Sequence, residues 1–182
     1  LRADALRNRN AVLDAAARIY SERGFDVAMA DIAAEAGVGR TTLLRNFPSR
    51  MELASALFER AMEQIRSLAT AQKGEPGDLE ELLDLKLSFY IENGGLAEAV
   101  QKESGESDGF RADRCEVARI LLAAARPSIE TGLLRKDLTL EVFLILQQAI
   151  AGAMRTGGDR SERSERARIV RSLLLDGLRR RA

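Results

Sequence analysis

Between Ala36 and Arg50 the only charged side chains are the arginines Arg40, Arg45 and Arg50, with Thr41, Thr42 and Asn46 among them. A guanidinium can fork onto a phosphate or onto the O6 and N7 of a guanine, while a hydroxyl reaches a phosphate oxygen or a base edge. The stretch carries groups for recognising a polyanion, not for breaking bonds. Catalytic groups are scarce elsewhere. Histidine is absent, which removes the commonest general base and metal ligand and excludes a histidine-based hydrolase or a zinc enzyme. Paired carboxylates such as Glu80-Glu81 fall at capping or solvent-facing positions, and no nucleophile has a visible base. The chain reads as a non-enzyme with no metal and no cofactor. Cys115 is the single cysteine, so no internal disulfide forms, and its neighbours Asp113 and Glu116 disfavour a reactive thiolate.

Helices must position these groups. The sequence is rich in Ala, Leu, Glu and Arg, has no alternating β-branched run and is 4% aromatic. It predicts an all-α fold of about nine helices, a three-helix head joined to a larger C-terminal bundle. The first helix spans about Ala5 to Arg23, burying Val12, Ala16, Ile19 and Tyr20 and stopping at Gly24. Asp26 is positioned to cap a short second helix, about Ala28 to Glu35. Gly37 then allows a tight turn, Val38 tucks between helices, and a third helix runs from Arg40 to Asn46 with Leu43 and Phe47 inward. Arg40, Thr41, Leu44 and Arg45 then face outward. This is the helix-turn-helix arrangement, with Arg40 and Thr41 suited to base edges and Thr42 to a phosphate. Arg50 opens the fourth helix, where a cation opposes the helix dipole, so a phosphate partner explains it better than local structure does. Gly-bounded short helices with solvated arginines also fit many helical proteins, and the residues alone leave both readings open.

Ser49 and Glu52 form a capping box for that fourth helix, which runs to about Lys73. KGEPGD breaks it, Asp78 and Glu81 cap the next helix to Asn93, and ESGESDG (103–109) is polar. A helix from about Arg114 to Gly132 contains Pro127, which should kink or split it. Two last helices, about Leu140 to Thr156 with Thr139 as cap and about Ser161 to Arg181, complete the body. The terminal arginines 179–181 complement the end of the last helix.

The net charge is zero, so composition by itself names no polyanionic partner. No apolar run approaches the roughly 20 residues of a membrane span, and a cytoplasmic location is the default expectation. The chain opens on Leu1 rather than Met, which reads as a trimmed start that leaves room for a preceding basic arm.

From about Arg9 to Leu53 the sequence resembles the DNA-binding head of TetR-type regulators. The matching positions are Ala15-Ala16, Gly24-Phe25, Ile32-Ala33, Ala36-Gly37-Val38, Thr42-Leu43, Phe47-Pro48 and Arg50-Met51-Glu52-Leu53. The resemblance implies a DNA-binding domain over 1–48 and a ligand-binding and dimerisation domain over 49–182. It also implies phosphate contacts at Thr42 and Arg50, and base approach by Arg40, Thr41 and Leu44, with Arg45 and Asn46 alongside. Leu44 replaces the usual tyrosine, Asn46 the common Tyr or His, Ala28 a capping Thr or Ser, and Gly39 a Ser. These losses point to a weaker backbone grip with the same function.

In such regulators the last two helices pair across a two-fold axis. Phe143, Leu144, Leu146, Ile150 and Met154, with Val170, Leu173, Leu174 and Leu178, offer more apolar surface than one helix face buries internally. The expected partners are a palindromic double-stranded DNA operator, a second copy of the chain and a small-molecule effector that releases the DNA. Candidate pocket residues between the helices of 78–93, 114–132 and 140–156 are Phe89, Phe110, Cys115, Phe143 and Gln147, although such residues at helical spacing are more often plain core. The second reading is a helical ligand-binding protein or adaptor with a degenerate DNA-binding head.

Overall fold

A computed structural model describes residues 2–93, 96, 108–154 and 158–180. Among the described residues the named helices are eight: α1 (Arg2–Arg23), α2 (Met29–Glu35), α3 (Arg40–Asn46), α4 (Arg50–Ala71), α5 (Asp78–Asn93), α6 (Asp108–Glu130), α7 (Leu140–Met154) and α8 (Arg160–Leu178). The only extended pairing among the described residues is an isolated antiparallel bridge, Leu134 with Arg179. No helix among them is long and apolar enough to cross a membrane.

Apolar side chains gather into two clusters. In the first, Val12, Ala16, Ile19 and Tyr20 of α1 meet Ile32 and Ala33 of α2, Leu43 of α3 and Phe47 just after it. The second fills the body with Leu79, Leu82, Leu83 and Leu87 of α5, Leu121 of α6, Phe143, Leu146 and Ile150 of α7, and Val170 and Leu175 of α8. Helix α4 serves both, giving Leu53 and Leu57 to the first and Met62 and Ile65 to the second. Helix α5 packs against α1, α4, α6 and α8, so it lies at the centre of the molecule.

Several local expectations give way to tertiary partners. Asp26 does not cap α2, whose N-cap Ala28 has no side-chain bond; it pairs instead with Arg50 at 3.2 Å. Asp78 reaches back, its Oδ2 accepting from the amides of Gly74 (2.9 Å) and Glu75 (3.0 Å), which ties down the α4–α5 loop. Helix α6 is continuous to Glu130: Pro127 falls in its last turn, where little helix remains to break, and Gly132 at φ 77° ends it. Helix α8 stops at Leu178, so the arginines beyond are not its last turn; Arg179 pairs with Asp176, and the Arg180 amide donates to Leu133 O at 3.1 Å. Arg181 lies outside the described residues. Other caps form as the residue types dictate: Ser49 Oγ accepts from the Glu52 amide at 3.1 Å, and Thr139 Oγ1 from that of Val142 at 3.4 Å.

Most apolar residues of the last two helices finish the body core. Phe143, Leu146, Ile150, Met154, Val170 and Leu178 are all buried within the single chain, and Leu144 and Leu174 are half-buried. What remains outside is narrower: Ile145 is 57% exposed, Ile169 46% and Leu173 69%.

Candidate nucleic-acid interface and ligand cavity

The turn between α2 and α3 follows from one residue without a Cβ. Gly37 sits at φ 65°, its amide donating to Ala34 O (3.1 Å) while that of Val38 donates to Ala33 O (3.0 Å). These two bonds satisfy the last carbonyls of α2 and redirect the chain into α3. Val38, half-buried, packs against the head core. Leu43 and Phe47 are almost wholly buried, and that anchorage fixes the rotation of α3 about its axis. Arg40, Thr41 and Arg45 consequently face solvent, with Thr42, Leu44 and Asn46 at the margin.

Two arginines of α1 are held by acids of α2. Arg18 pairs with Glu35 at 3.1 Å and Arg23 with Asp31 at 2.7 Å, locking α1 to α2. Among the described residues Arg40 and Arg45 have no such partner, and no acidic residue stands between Ala36 and Arg50. Asn46 uses one amide hydrogen on Thr42 O at 2.8 Å within its own helix. Arg50 has more structural work than its place on α4 suggested: besides Asp26, its guanidinium lies 5.5 Å from the Phe25 ring centroid. Arg9, not anticipated as part of this face, stacks on Phe47 at 4.6 Å and so touches the end of α3.

A separate cavity of about 360 Å³ opens in the body, within the range of small-molecule pockets. Its walls come from α1 (Ala17, Arg18), α4 (Leu57 to Ile65), α5 (Leu85 to Asn93), α6 (Asp113, Arg114, Val117) and α7 (Gln147). Of the residues anticipated there, Phe89 and Gln147 line it. Phe143 is fully buried in the core beside it, Cys115 is half-buried outside the lining, and the Phe110 side chain lies outside the described residues. Gln147 is buried and donates to Arg114 O at 2.9 Å, tying α7 to α6. Phe89 packs edge-on against Phe58 (6.0 Å between centroids) and Tyr90 (5.8 Å). Burial pushes the Tyr90 phenol up to about 12 and pulls the Lys86 ammonium down to about 8. Sequence reasoning passed over Lys86 and Tyr90, although Lys86, Phe89, Tyr90 and Asn93 recur at the spacing of one helix face.

The geometry is a helix-turn-helix head with an outward basic face, carried on a helical body with a cavity. Residues 12–57 match the family described as bacterial regulatory proteins, tetR family. Across nearly the whole chain the fold is similar to a TetR transcriptional regulator from Streptomyces coelicolor, with TM-score 0.67 and 28% identity over 96% of this chain and 99% of that one. A TetR regulatory protein from Mycobacterium vanbaalenii matches with TM-score 0.67 and 29% identity over 99% of each chain. The chain thus carries the head of this family at residues 12–57, and its whole fold is similar to that of these two regulators. It is also 32% identical over 94 residues to the HTH-type transcriptional regulator CymR of Pseudomonas putida, a match covering 49% of this chain and 46% of CymR. The aligned stretch thus spans about half the length of that curated relative.

Proposed function

We propose that the chain is a ligand-responsive repressor that binds a palindromic DNA operator as a homodimer and releases it when a small molecule fills the body cavity. The observation that carries this reading is the contrast within α3: a fully buried inward face at Leu43 and Phe47, and an outward face whose arginines lack acidic partners among the described residues. A major groove accepts such a helix, and its phosphates supply the missing counter-charge. Arg40, Thr41 and Leu44 approach base edges, Thr42 and Arg45 the backbone, and Arg50 and Asn46 reach phosphates at the margin. Residues 1–48 form the DNA-binding unit and 49–182 the sensing and dimerising one, with α4 joining them. The second copy docks on the face of α7 and α8 that carries Ile145, Ile169 and Leu173, since solvent-exposed apolar side chains on two adjacent helices gain by mutual burial. The solved relatives described as regulators of transcription support the same reading.

Ligand and DNA act on one another if the cavity walls move with the head. Helix α4 extends from the head core to the cavity, and Ala17 and Arg18 of α1 line it directly. A ligand that favours one head spacing lowers affinity for DNA that requires the other. The test is selection of bound sequences from a random duplex library, followed by anisotropy at two salt concentrations. Enrichment of a two-fold site supports the proposal. Failure to retain any sequence would leave a helical ligand-binding protein with a degenerate head.

A further inference from the structure

We infer that the body cavity is built for an amphipathic organic monoanion, a carboxylate on an apolar body, with Lys86 as the residue that meets the charge. The inference rests on the reading of this cavity as the ligand site and names the class of ligand. Apolar and aromatic side chains form most of the lining, among them Leu57, Phe58, Met62, Ile65, Phe89 and Val117. Into this wall α5 places one ammonium. Lys86 is surrounded by protein yet only half-buried by accessible surface, because it borders the cavity.

The charges around the cavity identify the uncompensated group. Arg18 is held by Glu35 at 3.1 Å and Arg60 by Asp14 at 2.6 Å. Glu92 pairs with Arg160, so it is engaged away from Lys86. Burial raises the pKa of Asp113, and the cation acting on it is Arg66. Arg114 is engaged by an interaction of its own. Among the described residues no carboxylate pairs with Lys86: burial shifts it, and its neighbour is the Tyr90 ring, 5.8 Å from Nζ. A half-buried ammonium with no ion-pair partner among the described residues is costly, and a ligand carboxylate provides the counter-charge while its apolar part covers the rings. A single free cation among the described lining residues suits a single negative charge. A dianionic phosphate would leave charge unmatched against apolar walls.

The full-length chain is titrated by calorimetry at neutral pH with octanoate and 4-phenylbutyrate, each beside its primary amide. Wild type is expected to bind each acid about ten- to a hundredfold more tightly than its amide, the range of a charge-assisted hydrogen bond. Lys86→Met should erase that preference with the helical circular dichroism unchanged, Lys86→Gln should do the same, and Lys86→Arg should retain it. Equal affinity for acid and amide in wild type, or a preference surviving in both neutral variants, overturns the inference while leaving the cavity a ligand site. Absence of binding by every probe at millimolar concentration overturns both.

Discussion

The Arg163 guanidinium of α8 donates to the main-chain oxygen of Ser21 at 2.5 Å and to its hydroxyl at 3.2 Å, joining the last helix to the end of the first across the chain. The same side chain donates to Ile91 O at the end of α5 (3.0 Å) and to Gly158 O before α8 (2.6 Å). Three helices are thereby fastened by one buried cation whose acceptors are all neutral. Replacing it by methionine removes every bond and leaves buried oxygens unpaired, although relief of the buried charge offsets part of the loss. Arg163→Met is expected to cost about 2–4 kcal/mol, read as a lower urea midpoint at unchanged slope. Because Ser21 belongs to the head and Ile91 to the cavity helix, the same variant should also weaken the effect of ligand on DNA affinity.

Arg40 of α3 and Arg50 of α4 should separate in DNA binding. Arg40→Ala is expected to relax base preference at one position of the half-site, by about 1–3 kcal/mol of discrimination. Arg50→Ala should weaken binding to all sequences and reduce the salt slope by about 0.9 for each phosphate that it no longer neutralises. Its pairing with Asp26 and Phe25 adds a second effect, a small loss of head stability visible without DNA. Asp26→Ala separates the two, since it removes the ion pair and keeps the guanidinium for DNA. Equal effects of Arg40→Ala and Arg50→Ala on every sequence would refute this division.

Gly37 gives a backbone prediction free of packing effects. A Cβ added there meets nothing within 4 Å, so the cost of Gly37→Ala comes from φ 65° alone. That cost is about 1–2 kcal/mol. It should appear as a lower melting temperature and, because the turn aims α3, as weaker operator binding. Gly37→Asn, a residue that tolerates this conformation better, should recover most of both.

Lys86 should reveal itself through pH. Its folded pKa is lowered from 10.5 to about 8, so between those values the unfolded chain holds a proton that the folded chain has released. Stability therefore rises with pH across that window relative to Lys86→Met, and below about pH 8 the full cost of the buried charge remains. At neutral pH Lys86→Met should melt higher than wild type even as it loses carboxylate binding. Carboxylate affinity in wild type should weaken above about pH 8, as the ammonium loses its proton. A flat pH difference between the two proteins from about pH 7 to 10 would show that Lys86 is solvated like any surface lysine.

The parts legible in the sequence are those decided over a few residues. The bounds of α3, the turn at Gly37 and the Ser49 cap follow from residue type and a spacing of three or four, and the folded chain has all three. Arg163 shows the opposite case. It lies in the run Arg-Ser-Glu-Arg-Ser-Glu-Arg, which has the look of a solvated helix face, and is buried because its acceptors come from residues 21 and 91. Asp26 likewise has the local features of a cap, but its partner is 24 residues away. Lys86 sits among Leu85, Leu87 and Phe89, where periodicity suggests core, and only the convergence of α1, α4, α6 and α7 turns that stretch into a cavity wall. Residues whose surroundings are assembled from distant segments carry no local signal.

The dimer prediction is also narrower than the sequence suggested. Apolar residues of α7 and α8 such as Phe143, Ile150 and Val170 are already buried in one chain, so substituting them tests folding, not association. Ile169 and Leu173 lie one turn apart on α8 and remain 46% and 69% exposed, with Ile145 of α7 at 57%. Ile169→Glu combined with Leu173→Glu should convert a dimer to monomer by sedimentation velocity, because like charges would meet across a two-fold axis. The helical circular dichroism should be unchanged, since neither side chain completes the core. DNA affinity should fall steeply, as a monomer reads only one half-site. Gln148→Ala, exposed on the same helix as Ile145 but polar, is expected to change the association constant far less. Should the double variant remain dimeric, the second copy sits on another face and the pairing of the last two helices must be abandoned.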